Sequence, residues 1–183
     1  MKKVLLVLLL IGLLIGCSKK DELALGQYQE RKYTNENFNL DLEVPEGFSY
    51  FNADELEKIN EQAANESQNK EAAKYRNLVL HIEHLDGSKV IAFVDSQPES
   101  SKNKEAEANN YLDFLSSQDI DYKVEKSEVE INDTKYLKLD LDLPFDGKQI
   151  NYITVQNNKL INIQISYKNE NIENAQQLLD LYE

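Results

Sequence analysis

The sequence predicts an α+β domain: an antiparallel sheet of about six to seven strands, flanked by helices. Three observations support this fold class. Many segments alternate apolar and polar residues with a period of two, which is typical of half-buried strands. Three other segments repeat apolar residues at helical spacing. Short turn sequences separate neighbouring strand segments, and such short connections join antiparallel rather than parallel strands.

The first strand and the first helix are predicted between residues 38 and 63. The strand has alternating apolar positions and is closed by the turn sequence Pro45-Glu46-Gly47. Its apolar positions are Phe38, Leu40, Leu42 and Val44. Asn52 and Glu55 have the spacing of a capping box, which begins a helix. The helix has an apolar stripe of Leu56, Ile59 and Ala63.

A hairpin and a second helix are predicted next. Residues 78–85 and 89–94 form two strands joined by Asp86-Gly87, a strong hairpin signal. The second strand is apolar on both faces, which predicts a central strand covered on both sides. One face holds Val90, Ala92 and Val94, and the other holds Ile91 and Phe93. The helix follows with the apolar positions Ala108, Tyr111, Leu112 and Leu115.

The last third of the chain is predicted to be a four-stranded meander followed by a third helix. In its first strand, the apolar residues change from even positions (Tyr122 and Val124) to odd positions (Val129 and Ile131). This change predicts a bulge or bend between the two pairs. The second strand has the apolar face Leu137, Leu139, Leu141 and Leu143. The third strand runs from Ile150 to Gln156, and the fourth has the apolar face Ile161, Ile163, Ile165 and Tyr167. The helix has the apolar side Ile172, Ala175, Leu178, Leu179 and Tyr182.

This order of elements resembles the Mog1/PsbP family. The resemblance is carried by "FNLDLEVPEGFSYF" at 38–51, "LVLHIEHLDGSKVIAFV" at 78–94 and "EINDTKYLKLDL" at 130–141. It covers roughly residues 33–183 and implies a sandwich of an antiparallel sheet and helices. The family includes binding and accessory proteins with varied partners, so the fold alone does not fix a function.

The N-terminus has the features of a bacterial secretion signal. Met1-Lys2-Lys3 is positively charged, and the apolar run from Val4 to Ile15 is shorter than the roughly 20 residues that a membrane-spanning helix needs. The run ends in Leu14-Ile15-Gly16-Cys17, which resembles the lipobox of bacterial lipoproteins. The resemblance implies cleavage after Gly16 and a diacylglyceryl group on Cys17.

The predicted organisation therefore has three parts. Residues 1–16 are a lipoprotein signal peptide, residues 17–35 a lipidated N-terminus and flexible tether, and residues 36–183 a single α+β domain. The expected location is the extracytoplasmic face of the cell membrane, with the lipid on Cys17 as the anchor. Two or three acyl chains hold a protein stably at a membrane, whereas one holds it only marginally.

Composition limits the chemistry that the domain can perform. Removing residues 1–16 removes two lysines, so the net charge changes from −13 to −15, which argues against binding nucleic acid. Cys17 is the only cysteine, so a lipidated chain has no thiol for catalysis or metal binding. His81 and His84 are three residues apart on a strand and point to opposite faces, so they do not chelate one ion. We expect no cofactor.

The candidate binding residues lie on the predicted meander. If Leu137, Leu139 and Leu141 face the core, Asp140 and Asp142 face outward. We expect helices to cover the hairpin fully and the meander only partly, which leaves a carboxylate-bearing shelf of Asp140 and Asp142, rimmed by Tyr136 and Tyr152. A bare solvated sheet surface, or coverage by a helix, are the simpler interpretations of the same acids. Together with Asp146, these acids have the oxygen ligands for weak calcium binding but not the order of an EF-hand loop.

Three functions fit these observations. The first is a non-catalytic surface lipoprotein whose domain binds a partner protein or a small ligand in the cell envelope. The second is an accessory factor in envelope stress, the cell wall or phage exclusion. The third is an envelope hydrolase that uses carboxylates. The chain has none of the motifs of serine hydrolases, zinc proteases or phosphate-binding loops, which favours the binding function.

Overall fold

The computed structural model describes residues 25–35, 40–67, 75–96 and 103–180. The predicted signal peptide at 1–16, the lipidation site Cys17, the first part of the tether at 18–24, and the apolar positions Phe38 and Tyr182 lie outside the described residues.

The described residues form ten strands and three helices, which confirms the predicted α+β class. The strands are β1 (Gln27–Gln29), β2 (Lys32–Asn35), β3 (Leu40–Glu43), β4 (Ser49–Tyr50), β5 (Arg76–Glu83), β6 (Lys89–Asp95), β7 (Lys123–Ile131), β8 (Thr134–Leu143), β9 (Gly147–Gln156) and β10 (Lys159–Lys168). The helices are α1 (Ala53–Glu66), α2 (Lys104–Ser117) and α3 (Ile172–Leu179). Asn52 and Glu55 form the predicted capping box at the start of α1.

Seven strands form the main sheet in the order β4-β5-β6-β10-β9-β8-β7, with every pair antiparallel. Strands β1, β2 and β3 form a separate small sheet. All neighbours in the main sheet are also neighbours in the chain except β6 and β10, which meet at its centre. The main sheet is therefore a β4–β6 unit joined to a β7–β10 meander by one pairing.

The main sheet carries a hydrophobic core on each face. On one face, Leu137, Leu139 and Leu141 of β8 pack with Ala108 and Leu115 of α2. On the other face, isoleucines of β10 and valines of β6 pack with the small sheet and with α3. Successive residues on a strand point to opposite faces, so a strand buried on both sides is apolar at both parities.

This two-core arrangement corrects the predicted bulge in β7. The pairing of β7 with β8 runs without a shift from Lys123 opposite Asp142 to Ile131 opposite Thr134. Val124 packs in the α2 core, whereas Val129 and Ile131 pack in the other core. The change of parity thus reflects a regular strand that contributes to both cores.

The irregular strand is β5. Its pairing with β6 shifts between Leu78 and Leu80, so Val79 is the extra residue of a bulge. The side chain of Asn60 on α1 binds the backbone at this point. Its amide nitrogen donates to the carbonyl of Leu78 (3.0 Å), and its amide oxygen accepts from the N–H of Leu78 (2.8 Å).

The boundary predicted between tether and domain is wrong for residues 25–35. These residues form β1 and β2 instead of a flexible tether, and Tyr33 is completely buried in the core. The hydroxyl of Tyr33 donates to the carbonyl of Val79 (2.9 Å) and accepts from the amide of Asn35 (3.1 Å). Burial raises the pKa of this hydroxyl to about 12. The strands are short and polar on their exposed sides, so their composition resembled that of a linker.

Candidate ligand-binding site

The predicted shelf is open to solvent at its two acids. The side chains of Asp140 and Asp142 are 41% and 51% exposed. Lys148 pairs with Asp142, and Lys138 lies 4.0 Å from Asp140. The hydrogen bond from Lys148 lowers the pKa of Asp142, so this carboxyl is an ionised surface group. Ligand binding by these acids remains a prediction.

The two tyrosines of the predicted shelf do not rim a groove. Tyr136 and Tyr152 are both buried in the core on the face opposite α2, with their rings edge to face and their centroids 6.1 Å apart. Lys138 lies 5.8 Å from the centroid of Tyr152 and covers that ring. The expectation of an aromatic rim is therefore corrected. Both tyrosines point into the core because the small sheet and α3 cover the face of the main sheet on which they lie.

The prediction that helices cover the hairpin fully is wrong. Helix α2 packs on β8 and β9, against the leucine face of β8 that was predicted to lie in the core. In β6, Val90, Ala92 and Val94 are buried on one face, but Ile91 and Phe93 on the other are only half-buried. The incompletely covered surface is therefore the α2 side of β6 and its neighbours.

A cleft of about 380 Å³ opens there, between α2 and the sheet. We refer to it as the α2 cleft. Its helix wall consists of Glu107, Asn110, Tyr111 and Phe114. Its sheet wall consists of Arg76 from β5, Phe93 from β6 and Gln164 from β10. The volume lies in the lower part of the range typical of small-molecule sites.

The charged groups of the cleft neutralise each other. Arg76 and Glu107 form an ion pair with a nitrogen–oxygen distance of 3.1 Å, in which the Glu107 side chain is only 10% exposed. The guanidinium of Arg76 also lies over the ring of Phe93, 5.1 Å from its centroid. No other charged residue of the described chain lines the cleft.

A buried polar network underlies the helix wall. The amide of Asn162 donates to Glu107 (3.3 Å). The amide nitrogen of Gln149 donates to the hydroxyl of Tyr111 and to the side-chain oxygen of Asn151, both at 2.7 Å. Burial raises the pKa of Tyr111, and the bond from Gln149 partly offsets this rise, so the hydroxyl stays protonated at neutral pH.

This network has unused hydrogen-bonding capacity. The side-chain oxygen of Asn162 and the side-chain nitrogen of Asn151 have no hydrogen-bond partner among the described residues, although both residues are almost fully buried. Gln164 lines the cleft, is only 8% exposed, and makes no side-chain hydrogen bond within the described part of the chain. Unlike the unpaired atoms of Asn162 and Asn151, its amide atoms are not enclosed, so they are accessible to a polar partner in the cleft.

The sequence pattern predicts the wrong environment for Asn162 and Gln164. Asn162 and Gln164 alternate with isoleucines in β10, and this alternation alone predicts that both face solvent together with Ser166. The pairing of Asn162 with Ile153 and of Gln164 with Asn151 places them on the α2 side of the sheet instead. A pattern of period two separates the faces of a strand but does not show which faces are covered.

The two histidines have separate surroundings. His81 is stacked on Phe51, with ring centroids 4.2 Å apart, and lies 3.1 Å from Glu83. Burial lowers the pKa of His81 despite the raising effect of Glu83. His84 instead contacts Phe48 and Asp86. Within residues 25–35, 40–67, 75–96 and 103–180, no three histidine, cysteine or acidic residues are grouped as a metal site would require.

Comparisons with known proteins identify the fold. No protein-family model and no curated protein sequence matches the chain. Among solved structures, it is similar to the cyanobacterial PsbP (CyanoP) of Synechocystis sp. PCC 6803, with 12% sequence identity and a TM-score of 0.52. The match covers 86% of this chain and 94% of that chain.

The protein therefore has a PsbP-like fold, as the resemblance in its sequence predicted. At 12% identity the likeness concerns the fold alone, so chemistry must be argued from the site. In the described part of the chain, none of the helices has both the length and the apolar character needed to cross a bilayer.

Proposed function

We propose that this chain is a lipid-anchored, non-catalytic binding protein on the extracytoplasmic face of the cell membrane, with its ligand held in the α2 cleft. The observation that carries this proposal is the Gln164 side chain, which lines the cleft and makes no side-chain hydrogen bond within the described residues. Its amide atoms are open to the cleft and can donate to and accept from a ligand there.

The ionic state of the carboxylates supports binding over hydrolysis. A general acid needs a carboxyl group whose pKa is raised towards neutrality. Glu107 is instead bound to Arg76 in an ion pair, and Lys148 lowers the pKa of Asp142. Asp142 is therefore held as an anion, and the ion pair of Glu107 suits ligand positioning better than proton donation.

The proposed lipid anchor would hold the domain close to the membrane. Only residues 18–24 separate Cys17 from Leu25, the first residue that the structure describes. A chain extends by at most about 3.6 Å per residue, so the domain would be held within about 30 Å of its lipid. This tether is shorter than the sequence suggested, because residues 25–35 belong to the fold.

The anchor is tested by replacing Cys17. We expect wild-type protein to incorporate an alkyne fatty acid in cells and to sediment with membranes. The Cys17→Ala protein should incorporate none and should retain its signal peptide, because the acceptor thiol is gone. Ser18→Ala, which changes the neighbouring residue and keeps the thiol, should behave as wild type. Equal labelling of the wild-type and Cys17→Ala proteins would show that the lipobox assignment is wrong.

Binding in the cleft is tested by filling it. A fragment library of mixed chemistry should give hits with the full-length chain in a zwitterionic detergent, measured by saturation-transfer NMR. Asn110→Trp places a large ring on an exposed position of the cleft wall and should remove most of these hits. Asn109→Trp, on the next exposed position of α2, should keep them. Hits that persist unchanged in Asn110→Trp would place ligand binding elsewhere.

A further inference from the structure

We infer that the ligand of the α2 cleft is a neutral sugar, bound with one ring face on Phe114 and its hydroxyls on the amides of Gln164 and Asn110. The inference rests on the proposed binding function and adds the chemical class of the ligand. It follows from three properties of the cleft: its charge, its polar groups and its exposed ring.

The charge of the cleft excludes a strongly ionic ligand. Its one cation and its one anion are 3.1 Å apart and satisfy each other. A ligand carboxylate or phosphate that approached Arg76 would have to compete with Glu107, which is almost fully buried and cannot be left unpaired without a large cost. The net charge of the whole chain, −13, adds a general repulsion against anions.

The polar groups of the cleft match hydroxyls. A side-chain amide offers a donor and an acceptor side by side, and each sugar hydroxyl is both donor and acceptor. Gln164 presents such an amide from the sheet wall and Asn110 presents one from the helix wall. The oxygen of Tyr111 already accepts a bond from Gln149, so its O–H remains available as a donor to a ligand.

The exposed ring supplies an apolar surface for one face of the ligand. Phe114 lies on the rim of the cleft and is 56% exposed, so its ring is accessible to a ligand in the cleft. One face of a pyranose ring presents mainly C–H groups, and it gains from contact with an aromatic ring. Phe93, the other phenylalanine of the cleft, is covered by the guanidinium of Arg76.

The test is a titration with matched sugars of different charge, using the full-length chain in a zwitterionic detergent that has no sugar headgroup. N-acetylglucosamine is the neutral probe, glucuronate the anion and glucosamine the cation. We expect the neutral sugar to bind with a Kd of about 1 mM, and the two charged sugars to bind at least about fivefold more weakly.

Two variants and one control assign the contacts. Phe114→Ala, on the helix surface, should weaken binding about threefold to tenfold because it removes the stacking surface. Gln164→Ala should weaken it by a similar factor. Gln156→Ala removes the same type of side chain from β9, outside the cleft, and should change the Kd less than twofold. Thermal unfolding of each variant shows that the fold is kept, and Phe114→Ala tests the inference even if Gln164→Ala unfolds.

The result separates this inference from the proposed function. Glucuronate or glucosamine binding as tightly as the neutral sugar, or neutral-sugar binding unchanged in Phe114→Ala, would overturn the sugar assignment. If no sugar binds while Asn110→Trp still removes fragment hits, the ligand class is wrong and the binding function stands. If Asn110→Trp removes no hits, the proposed site itself is wrong.

Discussion

A chain that begins at residue 36 should fail to fold, whereas one that begins at Lys19 should fold as a soluble monomer. The shorter chain lacks β1 and β2 and with them Tyr33, which is completely buried. Removing a buried aromatic side chain alone costs about 3–5 kcal/mol, a large part of the 5–15 kcal/mol that stabilises a typical domain. The shorter chain also exposes the edge of β3 and leaves the carbonyl of Val79 without its bond from Tyr33.

Circular dichroism and urea unfolding measure this difference. The shorter chain should show no cooperative transition, or one at far lower urea. Tyr33→Phe in the longer chain is the matched control, since it keeps the ring and removes only the hydroxyl, at a cost of about 1–3 kcal/mol. If the chain from residue 36 unfolds cooperatively with a free energy close to that of the longer chain, β1 and β2 do not belong to the core.

Replacing Asn60 by alanine should destabilise the domain by about 2–4 kcal/mol, although Asn60 is only half-buried. Its side chain satisfies both backbone groups of Leu78 where the bulge interrupts the pairing of β5 with β6. The variant leaves a buried N–H and a buried carbonyl unpaired, and each costs free energy that the folded state does not recover.

The free energy of unfolding in urea measures this loss. Gln62→Ala is the matched control on the same helix, because its amide bonds only to the exposed Glu66, and we expect it to change stability by less than about 0.5 kcal/mol. Asn60→Asp keeps the acceptor for the Leu78 N–H but loses the donor, so its cost should lie between the two. A loss of similar size in Asn60→Ala and Gln62→Ala would mean that the bulge does not depend on Asn60.

Periodicity and turn residues were sufficient to predict the elements, because both are local. The capping box of α1 and the alternation in β8 are examples. Local signals did not show that β1 and β2 are strands, since two or three polar residues around one tyrosine are too few to establish a period.

The candidate site was harder to predict for a related reason. A sheet with a core on each face can bury polar residues of either face, and the positions of α2 on one face and of α3 and the small sheet on the other decide which residues are covered. The predicted acids Asp140 and Asp142 lie on the surface, whereas Gln164, predicted to face solvent, lies in the wall of the cleft. The residue pattern of a strand gives no direct information about which elements pack on each face of the sheet.

The single pairing of β6 with β10 has a consequence for how the domain assembles. The β5–β6 pair and the β7–β10 meander are made of hairpins with contacts close in sequence, whereas Ala92 and Ile163 pair across a long chain separation. The joint between the two units is therefore expected to form after the hairpins. The α2 cleft lies across this joint, with Phe93 on one unit and Gln164 on the other. A bound ligand contacts both units, so its binding free energy adds directly to the stability of their docking.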